Sequence, residues 1–392
     1  MNPSTDLSFE FAIATRIVFG AGCLNRLGAL AAEYGGRRVL LVTDPGIVRA
    51  GHAARAEDSL KSAGLTVFVF DRVVENPTTR VVDECVSWAR ECKADFLVGL
   101  GGGSSMDAAK GCNFVLTGGG KMEDYWGVGK ATRPMLPLIA VPTTAGTGSE
   151  CQSFALISQE ETHVKMACGD PKAAAKVAIL DPELTLTQPD PIAAATGMDA
   201  LSHAVETAVT NKRTPLSQML SREAFRLCNR GFQGVFSNAE NLEARGQMLL
   251  GAALAGAAIE NSMLGAAHAA SNPLTAQFDV IHGQSVGLML PPVVRFNGAD
   301  LHARTIYHEF AVEAGRATDD HDPEWSVCAL AEYLEEYRDL AQLPGSLAEM
   351  NIHEPDLESL AEHAAGQWTA NFNPLPVTSD DFLRLYRSVL GS

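Results

Sequence analysis

Four short apolar runs constrain this chain more than any other feature in it. Residues 38–43 (RVLLVT), 66–70 (TVFVF), 96–100 (FLVGL) and 138–141 (LIAV) are almost continuous in aliphatic, β-branched and aromatic side chains. Strands that are apolar without alternation are buried on both faces, as in a parallel sheet. Between them lie segments of helical spacing, at about 52–62 and 79–91. Strand alternating with helix is the pattern of βαβ units. From about Pro191 such runs nearly vanish, and a helical periodicity rich in Ala, Leu, Glu and Gly continues to Leu390. Residues 181–191, with three prolines, form the natural junction. At 392 residues the chain also exceeds what one hydrophobic core usually serves. The expectation is an α/β, Rossmann-like domain with a parallel sheet at 1–190, followed by an all-α domain at 191–392.

Composition narrows the partners. The formal net charge of −17 argues against a nucleic-acid backbone. It does not exclude a nucleotide, because helix N-termini and backbone amides bind phosphate without net positive charge. No stretch approaches the roughly 20 apolar residues of a membrane span. The N-terminal MNPSTDLSFEF lacks a basic segment followed by an apolar one, so no secretory signal is visible. The eight cysteines are scattered without a CxxC pair, which suits free thiols in a reducing compartment. A cytoplasmic protein is expected, with neither nucleic acid nor membrane as partner.

After the run ending at Leu100 comes GGGSSMDAAK, residues 101–110. Glycines let a backbone approach a ligand closely, and the following helix offers unpaired N–H groups and its positive dipole end to an anion. Gly101, Gly102, Gly103 and Ser104 are therefore candidates for holding a pyrophosphate. The spacing is neither GxGxxG nor GxxxxGK[ST]. A second polar turn, PTTAGTGSE at 142–150, follows another strand end, where Thr143 and Thr144 can line the same crevice. Cys151, Gln152 and Phe154 stand beside it as candidate pocket walls. Asp44, just past residues 38–43, can accept hydrogen bonds from ribose hydroxyls and repel a 2′-phosphate, or cap a helix.

The helical half carries a different chemistry. Asp199 and His203 are four apart and share one face of a helix. His268 lies among small residues in GAAHAA, and His282 stands beside Gly283. A buried His–Asp set without compensation is costly, and a shared cation relieves it. Each histidine is equally at home as a satisfied core residue, so spacing by itself leaves both readings open. One carboxylate and three imidazoles suit Zn2+ and Fe2+ alike. Such an ion favours alkoxide formation and makes a carbinol hydrogen a better hydride donor.

Together, GGGSSMDAAK, PTTAGTGSE, DPEL at 181–184, TGMDALSHAVE at 196–206 and the stretch from His268 to His282 resemble the iron-dependent (group III) alcohol dehydrogenase family over nearly the whole chain. The resemblance implies a dehydroquinate synthase-like architecture with the active site in the cleft between the two domains. It implies metal ligation by Asp199, His203, His268 and His282, with iron the usual metal and zinc an alternative. It further implies NAD rather than NADP beside Asp44, pyrophosphate on Gly101 to Ser104, and Thr143 and Thr144 along it. Asp107 and Lys165 match positions facing the cofactor or the cleft. A small alcohol or aldehyde as substrate, and a homodimer or larger assembly, follow in the same way.

One departure stands out. Many members carry a second histidine four residues after the position of His268, where this chain has Asn272. An amide hydrogen-bonds but does not titrate near neutral pH, so it cannot relay a proton as imidazole does. Asn272 is expected to contact a polar substituent of the substrate, with proton exchange through water and ribose hydroxyls. The alternatives are a metal-independent reductase resembling maleylacetate reductases, a polyol enzyme resembling glycerol dehydrogenase, and a non-enzymatic nucleotide-binding protein on the same fold.

Overall fold

The computed structural model describes residues 8–162 and 164–391. Its first half builds a six-stranded, all-parallel sheet from β1 (Arg16–Phe19), β2 (Arg38–Val42), β3 (Thr66–Phe70), β4 (Phe96–Gly101), β6 (Leu138–Pro142) and β9 (Val177–Leu180), in the order β1-β9-β6-β4-β2-β3. A three-stranded sheet, β5 (Gly127–Val128), β8 (Lys165–Gly169) and β7 (Phe154–Ser158), lies beside it, with β7 antiparallel to β8. The helices of this half are α1 (Leu27–Glu33), α2 (Pro45–Arg49), α3 (His52–Ser62), α4 (Thr79–Glu91) and α5 (Gly103–Gly118).

The four apolar runs are strands because both of their faces are covered. Val39 and Leu41 of β2 join Leu27, Leu30 and Leu60 in one core under α1 and α3. Leu40 and Val42, pointing the other way, join Val82, Val86 and Met106 in a second core under α4 and α5. Period-two alternation is thus present in the fold and silent in the sequence, since both sides are apolar. β9, with VAIL at 177–180, carries the same apolar signal and was overlooked in the sequence, whereas β1 and the small sheet carry a weaker one. β1 and β9 are four residues each, and β1 is mostly open at the sheet edge.

The second half is helical: α6 (Asp190–Val209), α7 (Pro215–Ser237), α8 (Leu242–Ser262), α9 (Ala266–Phe278), α10 (His282–Asn297), α11 (Leu301–Glu313), α12 (Pro323–Leu340), α13 (Leu357–Ala365) and α14 (Ser379–Ser388). Among the described residues no single helix is long and apolar enough to cross a membrane. One core runs through all of these helices and reaches Ala178 and Leu180 of β9, so the two halves share buried surface.

Small residues set how closely the halves approach. The turn after β6 presents Gly148, whose φ of +62° an L side chain rarely adopts, directly against Gly256 of α8. A Cβ on Gly256 would stand 2.2 Å from the Gly148 carbonyl oxygen, and no rotamer change relieves a clash with backbone. Gly256→Ala is therefore expected to lower the thermal unfolding midpoint by several degrees, for a cost of at least about 2 kcal/mol. A scan matching the parent would show that the seam yields instead.

Candidate active site

The cleft opens where the sheet changes direction. β2 runs on to β3 at one side, whereas β4 runs on to β6 at the other, so their carboxyl ends diverge into a crevice. Asp44 and the glycine turn sit at those two ends. Asp44 caps α2, its Oδ1 accepting from the amides of Gly46 (2.7 Å) and Ile47 (3.1 Å). Its other oxygen, 3.4 Å from Ser105 Oγ, faces the glycine turn. Gly101 has φ +146°, and a Cβ there would press within 2.5 Å of Ser105 Oγ. Gly102, the N-cap of α5, brings no side-chain oxygen to the first amides of the helix, which leaves them for an anion.

Gly102, Gly103, Ser104, Asp107, Thr144 and Lys165 all line one cleft of about 350 Å³. Gly101 lies behind that surface. Thr143 is buried, and its N–H donates to the Gly101 carbonyl (2.9 Å), tying the two polar turns together. Lys165, at the start of β8, donates to Asn76 Oδ1 (2.9 Å). A separate shallow depression over α4, lined by Arg72, Arg80 and Trp88, shares no residue with this cleft.

The same cleft ends on the four residues read as metal ligands. Asp199 and His203 come from successive turns of α6, His268 from the first turn of α9, and His282 from the first residue of α10. Asp199 Oδ1 stands 3.4 Å from His203 Nε2, 3.4 Å from His268 Nε2 and 3.7 Å from His282 Nε2. Donor atoms of a tetrahedral ion with bonds of roughly 2.1 Å stand about 3.4 Å apart. Asp199 Oδ1 and His268 Nε2 are buried and have no hydrogen-bond partner of acceptable geometry among the described residues. The residues fit a divalent cation. Asp199, His268 and His282 form the tightest set, with donor atoms all within 4.8 Å of one another. His203 lies outside that set but shares the same Asp199 oxygen, and its ring stacks on His268 with centroids 4.7 Å apart.

Electrostatics agree with a cation sink. Burial would raise the Asp199 carboxyl, yet the imidazoles of His203, His268 and His282 hold it well below the usual carboxylate range. Burial lowers His203, leaving a neutral ring of the kind that ligates metals. His268 is different: burial would depress it, but the Glu206 and Asp199 carboxylates lift it to about 9. Glu206 accepts a short hydrogen bond from His268 Nδ1 and another from the Ala267 amide (2.7 Å). This orients Nε2 toward Asp199 and makes the ring more basic. Glu206 escaped the reading of the sequence, although it lies seven residues after Asp199 and three after His203 on one helical face.

A buried ammonium was also missed. Lys110 is fully buried, and its Nζ donates to Ser149 O (2.6 Å), Ser149 Oγ (2.8 Å) and Phe154 O (3.0 Å). Ser149 Oγ in turn donates to Asp107 Oδ1 (2.7 Å). All three ammonium protons are used, and they draw the glycine helix, the second turn and the start of β7 together. The outer cleft is walled by Gln152, Phe154, Met263, Trp368, Thr369 and Asn272. Cys151 is buried and lies behind that wall. Trp368 and Thr369 lie far along the chain with no motif to mark them.

Two outcomes follow from these contacts. Glu206→Gln places an amide where an anion oriented His268, and is expected to weaken metal binding roughly 10- to 100-fold in a competitive-chelator titration. Affinity equal to the parent would remove Glu206 from the site. Glu150, also buried, is pushed from 4.5 up to about 7 by burial, against the pull of Lys110. Between those values the folded chain keeps a proton that the unfolded chain has released, so stability falls as pH rises from 4.5 to about 7 and is constant above it. Glu150→Gln lacks this loss. Its melting temperature relative to the parent should climb from pH 4.5 to 7 and then level off, for a gain of up to about 3 kcal/mol. A constant offset across that window would contradict the assignment.

Comparison with known proteins agrees with this geometry. A family model described as iron-containing alcohol dehydrogenase matches residues 14–182, and the C-terminal model of the same family matches residues 193–390. Alcohol dehydrogenase 4 of Schizosaccharomyces pombe is 33% identical over 380 residues, covering 97% of this chain and 89% of that protein. The NAD-dependent methanol dehydrogenase of Bacillus methanolicus is 34% identical over 385 residues, covering 97% and 100%. The crystal structure of a 1,3-propanediol oxidoreductase superposes with a TM-score of 0.95 at 29% identity, over 98% of this chain and all of the other. With both halves matched in order over nearly the whole chain, this chain belongs to the iron-containing alcohol dehydrogenase family.

Proposed function

We propose that the chain interconverts a primary alcohol and its aldehyde, passing hydride to or from NAD(H) with the help of a divalent metal. The carrying observation is that the cleft receiving the N-terminus of α5 ends on three imidazoles aimed at one carboxylate oxygen. A phosphate-binding end and a Lewis-acid end in one cavity are what a cofactor and an alcohol need in common. Asp199, His203, His268 and His282 would hold the ion, with iron favoured by the family and zinc compatible with the same donors. When bound, it supplies the positive charge that stabilises a developing alkoxide.

The remaining work falls to the chain itself. The amides behind Gly102, Gly103 and Ser104 bind the pyrophosphate, and Thr144 flanks it. Asp44, with one oxygen spent on capping α2, turns the other toward the adenine ribose and disfavours a 2′-phosphate, so NAD is the expected cofactor. Lys165 and Asp107 hold opposite charges across the cofactor's path. Phe154 and Trp368, with ring centroids 5.9 Å apart, exclude water from the reacting carbon. Asn272 carries no titratable proton, so proton exchange runs through water and ribose hydroxyls.

The reading extends to the chain as a whole: a dinucleotide-binding domain at 1–190, a metal-binding helical domain at 191–392, and a cytoplasmic enzyme, which its eight free cysteines suit. A homodimer or larger assembly is supported by the edge position of β1. Metal analysis of anaerobically purified protein, with NADH and NADPH assays over short aldehydes, tests the proposal. About one ion per chain, a preference for NADH and loss of activity on exhaustive chelation are expected. Full activity after complete metal removal would overturn it.

A further inference from the structure

The outer end of the cleft carries polar groups that neither the cation set nor the phosphate turn uses. Thr369 is 5% exposed and lines the cleft, yet its Oγ1 has no hydrogen-bond partner among the described residues. Buried hydroxyls are almost always paired, and one facing a binding cavity is completed by what binds there. Asn272 stands one helical turn beyond His268 on α9, on the side that faces the cation set. Its Nδ2 donates to Gln367 Oε1 (3.1 Å), which leaves Oδ1 to accept from an occupant. Gln367 precedes Thr369 by two residues, so this amide pair also holds the turn at Trp368–Phe372 against α9.

The charge of the cleft limits the occupant further. Among the described lining residues the only ammonium or guanidinium is Lys165, and it is set among the carboxylates of Glu75, Asp107 and Asp199. Three carboxylates against one ammonium leave the side-chain lining acidic on balance, which disfavours a carboxylate, phosphate or sulfonate on the substrate. The walls beside Thr369 are the rings of Phe154 and Trp368, which suit a short carbon chain.

We propose that Thr369 and Asn272 are the specificity-determining residues of the pocket. They select a primary alcohol or aldehyde that carries a second, uncharged hydrogen-bonding group such as a hydroxyl. The inference rests on the alcohol dehydrogenase reading above and adds the substrate class to it. Thr369 donates to, or accepts from, the second group, and Asn272 Oδ1 accepts from it. The alcohol being oxidised lies toward His268.

The test compares propan-1-ol with propane-1,3-diol, two molecules that differ by one hydroxyl, in NAD+ reduction by the metal-loaded full-length enzyme. The parent is expected to prefer the diol. Thr369→Val keeps the shape, removes the hydroxyl and should cut the diol-to-propanol ratio of kcat/KM about tenfold, chiefly through the KM of the diol. Thr369→Ser should restore the ratio, and Asn272→Leu should lower it from the other side of the pocket. A parent indifferent between the two alcohols overturns the inference and leaves the dehydrogenase reading standing. A ratio unchanged in both Thr369→Val and Asn272→Leu does the same, as does a preference for an aldehyde bearing a carboxylate or sulfonate. A metal-loaded parent that oxidises neither alcohol, and reduces no aldehyde with either nicotinamide cofactor, overturns both readings together.

Discussion

One carboxylate oxygen sets the terms for the helical half of this protein. Asp199 Oδ1 is sealed from solvent with three imidazole nitrogens at 3.4 to 3.7 Å, a concentration of polar atoms that a protein interior tolerates only when a cation or protons neutralise it. Two helices must begin at this point beside a third that runs through it, because α9 and α10 present His268 and His282 from their first turns and α6 presents Asp199 and His203 from its middle. Glu206 then follows from the same helical repeat. The abundance of alanine and glycine in α6, α8 and α9 is the packing counterpart of this requirement, since helices meeting around a small polar centre need thin side chains.

The α/β half meets the opposite demand. It must bring backbone amides, not side chains, to a ligand. A parallel sheet apolar on both faces leaves its polar groups only at the strand ends, and the divergence of β2 and β4 concentrates them in one crevice. Lys110 joins the two demands. Its three bonds reach Ser149 and Phe154, so the residue that steadies Asp107 beside the glycine turn also fixes the strand that walls the cleft. The cost of burying an ammonium is offset by three acceptors and by the acidic neighbours Asp107, Glu150 and Glu260.

How much of this could be read from residues alone depended on the range of the interaction. β2, β3, β4 and β6 were legible because burial on both faces makes a strand apolar throughout; β9 (VAIL) bears the same mark and could have been read, whereas β1 is short and mostly open at the sheet edge. Asp199 and His203 were legible as a helical pair, and Glu206 could have been, by the same geometry. His268 and His282 stood out among small apolar residues, but it was the ordered family motifs around them that favoured the ligand reading over that of core histidines. Asp44 was read two ways, as helix cap and as ribose contact, and its two oxygens face in two directions. Thr369 and Trp368 had no local signature. Their position depends on a contact between Asn272 and Gln367, 95 residues apart, which a single sequence does not encode in any spacing.

The seam at Gly148 and Gly256 has a mechanical consequence. There the halves touch peptide against peptide, with no side chain whose rotation could lengthen or shorten the contact. At the mouth they meet through the rings of Phe154 and Trp368, and Trp368 is 40% exposed. Turning an exposed ring costs far less than shifting packed backbone, so the seam holds the separation of the halves more firmly than the mouth does.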